Sequence, residues 1–85
     1  MNSFDHFKVW LDDNYAYTKA TKSDIVSRLR RADKILPIIS DPVYLFKLSQ
    51  CNQFSKLSVN VKSQIRRAVK IYLEFTENED AKAND

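Results

Sequence analysis

Glycine is absent from this 85-residue sequence, and there are only two prolines. Two-residue hairpin turns need positive φ, which glycine supplies most cheaply. Its absence weighs against an all-β fold, a dinucleotide-binding glycine loop and a P-loop together. One cysteine, Cys51, excludes an intramolecular disulfide framework and a cysteine-based zinc finger. One histidine, His6, leaves too few soft ligands for a structural zinc site, so no metal or other cofactor is expected. Long apolar runs are missing too. Ile35-Leu36-Pro37-Ile38-Ile39 is far short of a membrane span. The N-terminus has no basic segment leading into an apolar one, as a signal peptide would. A cytoplasmic protein without membrane contact is the expectation.

What is present describes one small helical domain. Apolar residues make up 44% and charged residues 29%, ordinary values for a folded chain. A domain this small buries roughly 60% of its unfolded surface. That leaves little room for a deep catalytic cleft or a small-molecule substrate. The net charge is +3, but its placement says more. Residues 1–18 carry a net −2, residues 19–70 a net +9, and residues 71–85 a net −4. A basic middle between acidic ends is the footprint of a polyanion partner.

The apolar spacing predicts four short helices in a compact all-α bundle. In the first, Ser3 serves as cap and Phe4, Phe7, Leu11 and Tyr15 form one stripe, with Trp10 on its flank. Residues 14–20 read as a connection. Thr21 and Asp24 resemble a capping box for a second helix from about Lys22 to Leu36, closed by Pro37. Its inner stripe is Ile25, Leu29, Ala32 and Leu36, widened by Val26 and Ile35. Asp41-Pro42 starts a third helix reaching about Cys51, which buries Leu45, Leu48 and either Phe46 or Tyr44. Phe54 and Leu57 look like core anchors in a linker. Ser58 caps the longest helix, from about Val59 to Glu77, with Val61, Ile65, Ala68, Tyr72 and Phe75 inward. The helical domain thus covers residues 1–77, and residues 78–85 read as a polar, disordered tail.

Two basic faces stand out. Arg28, Arg30, Arg31 and Lys34 lie on the second helix; Lys62, Arg66, Arg67 and Lys70 lie on the last. At 100° per residue, Lys62, Arg66 and Lys70 share a row, with Ser63 and Arg67 beside it. Arginine forks suit phosphate oxygens and guanine edges, and lysine supplies a point charge. Ser27, Ser63, Gln64 and Asn60 add neutral donors. Solvated helix faces would carry the same residue types, since Lys and Arg are good helix formers.

Catalytic readings are poor. Tyr15, Tyr17, Tyr44 and Tyr72 are nucleophiles on paper, but Tyr15 and Tyr72 fall on apolar stripes. His6 has no Ser or Cys partner at motif spacing. Asp12-Asp13 lacks the remaining ligands of a calcium loop. Cys51 reads as a small packed residue, and Trp10, Phe4 and Phe7 as core. This chain is not expected to be an enzyme.

The stretch Thr21-Lys22-Ser23-Asp24-Ile25-Val26-Ser27-Arg28-Leu29-Arg30-Arg31 resembles the capped, basic second helix of a tyrosine recombinase (phage integrase) core-binding domain. Phe54-x-x-Leu57-Ser58-x-x-x-Lys62-Ser63-x-Ile65-Arg66-Arg67-Ala68-Val69-x-x-Tyr72-x-x-Phe75 is similar to that domain's last helix. Phe7-x-x-Trp10-Leu11 fits the same layout. The resemblance spans about residues 4–76. It implies a SAM-like four-helix domain that binds double-stranded DNA with the second and last helices toward the grooves. By position, the contacts would come from Thr21, Lys22, Ser27, Arg28, Arg31, Lys62, Ser63, Arg66, Arg67 and Lys70. In that family a separate C-terminal catalytic domain holds the nucleophilic tyrosine, and none fits after residue 77. Residues 77–85 would begin an interdomain linker. The chain is then either a fragment of a recombinase or a standalone relative that binds without cutting.

The rival reading is a small helical regulatory protein that docks an acidic protein surface through the same basic faces. A large exposed apolar patch beside the arginine pairs would favour it, and so would several of Val26, Ile35, Ile38, Ile39 and Tyr44 being exposed together.

Overall fold

Five helices, and no strand, form among residues 4–83, which the computed structural model describes. They are α1 (Asp5–Asn14), α2 (Lys19–Ile35), α3 (Val43–Ser49), α4 (Asn52–Ser55) and α5 (Val59–Ala83). The all-α expectation holds. The single turn α4 occupies what reads in sequence as linker, so the fourth expected helix is α5. None of the helices is long and apolar enough to cross a membrane.

The helix ends differ from expectation in ways that side chains explain. Ser3, the expected first cap, lies outside the described residues. Phe4 occupies that position in α1 without a side-chain bond. α1 stops at Asn14, whose Nδ2 donates to the Trp10 carbonyl at 2.8 Å. Tyr15 then turns extended.

α2 begins three residues earlier than the Thr21–Asp24 pattern implies. Thr18 is the cap, and its Oγ1 accepts the Thr21 N–H at 3.2 Å. Thr21 is therefore the donor in that motif. Lys19 and Ala20 are good helix formers, so the earlier threonine captures the start. The other end falls at Ile35, with Leu36 extended ahead of Pro37, as the residue before proline prefers.

Asp41 starts α3 by accepting the Val43 N–H at 2.9 Å. α3 ends at Ser49, short of Cys51, where Ser49 Oγ donates to the Phe46 carbonyl at 2.6 Å. Ser58 caps α5 by accepting the Val61 N–H at 3.3 Å. α5 does not stop at Glu77 but continues to Ala83. The disorder expected from residue 78 is thus replaced by helix as far as residue 83. The stretch holds no proline or glycine, and Glu, Lys and Ala favour helix. Thr76 is buried, and Asn78 Nδ2 donates to the Glu74 carbonyl at 3.1 Å, both on the continuing helix.

α2 and α5 make the largest contact, α1 packs on both, and α3 packs on α4. The core takes Phe7, Trp10 and Leu11 from α1, Ile25, Val26, Leu29 and Ala32 from α2, and Ile65, Ala68, Val69, Leu73 and Phe75 from α5. Phe54 from α4 closes it, and Leu57 is half-buried beside it. Phe7 meets Tyr72 and Phe75 edge-on, with ring centroids 5.3 and 5.4 Å apart, and Trp10 lies 5.6 Å from Phe75. These contacts fix α1 against the middle of α5.

Of the two aromatic candidates on α3, Tyr44 is the one turned inward, at 0% exposed, while Phe46 is 66% exposed. Tyr44 and Leu48 are one helical turn apart and share the inner face. The Tyr44 hydroxyl is aimed at the Leu36 carbonyl at 2.6 Å, with the Ala32 carbonyl 3.2 Å away. It satisfies the Leu36 carbonyl just past the end of α2, while the Ala32 carbonyl already accepts the Leu36 N–H at 2.9 Å.

Burial pushes the Tyr44 hydroxyl well above the ordinary tyrosine value of 10.0 and raises that of Tyr72 in the same direction. The unfolded chain ionises these groups near pH 10, while the fold keeps them protonated. Above that pH the folded state binds more protons, so this stability is complete below about pH 10 and is lost progressively above it. Tyr44→Phe is expected to lose about 1–2 kcal/mol at pH 7, the worth of a buried hydrogen bond. Its decline in stability between pH 7 and pH 11 should be shallower than that of the parent. Urea-unfolding midpoints at the two pH values measure both effects. An unchanged midpoint at pH 7 would show that this hydroxyl does not hold the end of α2.

Candidate nucleic-acid interface

The α2–α5 seam carries two shallow, open depressions of about 170 and 200 Å³. Arg28 and Gln64 line both, which makes them one trough along the seam. Its floor is apolar: Ile25, Ala68 and Ile71 at one end, Val61 and Ile65 at the other. Its rim is cationic, with Arg28 and Arg31 from α2 and Arg67 from α5. Asp24 is the single carboxylate lining it. None of the three guanidinium groups lies within ion-pair distance of a carboxylate among the described residues. Neutral donors complete the lining: Thr21 and Tyr17 at one end, Gln64 in the middle, Ser27 at the other end.

Helical geometry explains this convergence. Ile25, Leu29 and Ala32 turn one side of α2 into the core, and Arg28 lies about 100° from Leu29, on the edge facing α5. On α5, Arg67 precedes buried Ala68 and borders the same seam. The trough therefore gathers Thr21, Ser27, Arg28, Arg31 and Arg67 of the ten residues the sequence points to.

The other five go elsewhere. Arg66 leaves the opposite flank of α5 and lies over the Phe54 ring, with its guanidinium carbon 5.4 Å from the centroid. Lys62 turns the same way, its Nζ donating to the Ser55 carbonyl at 3.4 Å. Ser63 and Lys70 are exposed and line neither depression. Lys22 faces α1 and pairs with Asp12. Of the row Lys62–Arg66–Lys70, the first two thus meet α4 rather than α2.

Tyr17 belongs to the trough although nothing singles it out in the sequence beyond its being one of four tyrosines. Its signal is the alternation Tyr15-x-Tyr17 in an extended segment, where alternate side chains share one side. The two rings stack with centroids 5.0 Å apart and planes 4° from parallel. The Tyr15 hydroxyl donates to Glu74 Oε2 at 2.8 Å, which ties this segment to α5.

That hydrogen bond, with burial and the Glu74 charge behind it, raises the Tyr15 hydroxyl above its ordinary value. Tyr15, Tyr44 and Tyr72 are thereby all moved away from the phenolate a nucleophile requires. Cys51 is half-buried, with its Sγ directed at the Lys47 carbonyl at 3.5 Å. No cluster of three His, Cys, Asp or Glu side chains able to hold a metal occurs among the described residues. What the trough can do chemically is hold an extended anion: arginine forks pair with phosphate oxygens, and the hydroxyl and amide donors extend the contact.

Compared with protein-family models, with curated proteins and with solved structures, the chain matches none.

The divergence of Arg66 and Arg67 separates stability from binding. Arg66→Ala removes a cation–π contact worth about 0.5–1 kcal/mol at an exposed site, which lowers Tm by roughly 2–8 °C in a domain this size. Arg67→Ala should stay within about 0.5 kcal/mol of the parent. Thermal unfolding of the two single variants followed by circular dichroism tests this. Equal Tm losses would show that the Arg66–Phe54 contact has no special role.

Proposed function

We propose that the chain binds duplex DNA through the α2–α5 trough, in the manner of a tyrosine recombinase core-binding domain that supports site-specific recombination or integration. The observation that carries this reading is the convergence of Arg28, Arg31 and Arg67 from two helices on one trough, with no carboxylate paired to any of them among the described residues. Purely solvated arginines have no reason to line a common concavity with Gln64, Thr21 and Ser27 between them. The trough is open and elongated, which suits a backbone rather than an enclosed small molecule. Phosphate contacts would set position and affinity, and side chains reaching base edges would set sequence preference.

An exposed apolar patch beside the arginines would favour the rival reading. Val26 and Tyr44 are buried, Ile35 and Ile38 are half-buried, and Ile39 is 41% exposed. The exposed large apolar residues among those described are Val9, Ile39, Val43, Phe46 and Val59, and none of them lines either depression. That distribution favours DNA over an acidic protein partner.

If the three arginines of the trough reach phosphates, log K falls with log[salt] at a slope of roughly −3. The double variant Arg28→Ala/Arg67→Ala should weaken binding to a duplex of about twenty base pairs at least tenfold and reduce the slope by about 2. Its unfolding midpoint should stay unchanged, since neither group is ion-paired among the described residues. Fluorescence anisotropy across a series of KCl concentrations measures this. A parent chain that leaves the duplex free at low salt, or a double variant that binds like the parent, would overturn the reading.

A further inference from the structure

A larger groove lies on the other flank of α2, between α2 and α1, and is open with a volume of about 440 Å³. Lys8 reaches it from α1, and Lys19, Lys22 and Arg30 from α2. Its one carboxylate, Asp12, is held by Lys22. Lys8, Lys19 and Arg30 have no carboxylate within ion-pair distance among the described residues. Ser27 lines this groove and the α2–α5 trough alike. Between the two depressions α2 presents exposed Ala20, Ser23 and Ser27, with exposed Asp24 and Arg31 on the trough side.

We infer that the α1–α2 groove is a second phosphate-binding surface, continuous with the trough across Ser27, and that a DNA duplex is gripped on both flanks of α2. The inference rests on the proposed function and extends it to residues outside that site. Two dimensions argue for a polymer over a single phosphate. Lys19 and Arg30 are eleven residues apart, about 16 Å along a helix, too far to converge on one tetrahedral anion. The flanks of one helix lie about 10–12 Å apart, close to the roughly 12 Å that separates the strands across a major groove. Asp12 is the opposing element. It neutralises Lys22 and sets a negative charge at the border of the surface, so it weakens the grip it adjoins.

The test measures duplex binding by anisotropy over a KCl series with the full chain. Lys8→Ala/Lys19→Ala is expected to reduce the salt slope by about 2, at about 0.9 per contact, with native helicity intact. Asp12→Asn should tighten binding several-fold and steepen the slope by up to about 1, because Lys22 is released to the phosphates. Lys47→Ala, on α3 outside both grooves, should leave the slope unchanged. If Lys8→Ala/Lys19→Ala and Asp12→Asn both bind like the parent while Arg28→Ala/Arg67→Ala is weakened, the second surface is refuted and the trough stands. If Lys47→Ala lowers the slope as much as Lys8→Ala/Lys19→Ala does, the effect belongs to the overall field and the inference fails. A parent chain that does not bind the duplex removes both.

Discussion

No described residue has a positive φ, and the rest of the architecture follows from how the helices stop under that constraint. A helix commonly ends with a left-handed glycine whose N–H groups satisfy the last carbonyls. Here α1 and α2 end by passing directly into extended backbone at Tyr15 and Leu36. At the end of α2 the Leu36 N–H still reaches the Ala32 carbonyl, and the Tyr44 hydroxyl donates to the Leu36 carbonyl beyond it. That bond sets α3 across the end of α2. α3 leads through Cys51 into α4, and α4 places Phe54 in the core where α5 begins. The return of the chain alongside α2, and with it the trough, depends on where that one hydroxyl is anchored.

The trough also shows how a helix sorts like residues to unlike surroundings. Arg66 and Arg67 are neighbours in sequence and equal in chemistry. About 100° of rotation sends one over an aromatic ring and the other to the seam with α2. Between Ile65 inside and Ala68 inside, the pair has only these two exits. α2 does the same: Arg28 and Arg31 border the trough, while Arg30 between them borders the α1–α2 groove.

Much of this was legible in the sequence, and the failures have physical causes. Apolar spacing identified the helices and most of the core, because a stripe at helical period has one inward direction. It left α2 too short, since Thr18 and Thr21 are equally good caps on paper and the choice depends on where Lys19 and Ala20 fall. It left Tyr44 and Phe46 undecided, since a seven-residue helix holds too little pattern to fix its phase. It ended α5 at the loss of hydrophobicity, although helix persists through polar residues when nothing breaks it. For the site, periodicity gave the exposed faces but not their neighbours. The partners of Lys22, Lys62 and Arg66 come from α1 and α4, and no spacing within a single helix announces them.

The aromatic cluster joining α1 to α5 has a practical corollary. The chain contains one tryptophan, and Trp10 lies inside that cluster, between Phe7, Tyr15 and Phe75. It lines neither the α2–α5 trough nor the α1–α2 groove. Its emission therefore gauges whether α1 is docked while leaving the charged surfaces out of the signal. The molecule carries a built-in optical reference by which loss of shape and loss of affinity can be told apart in one cuvette.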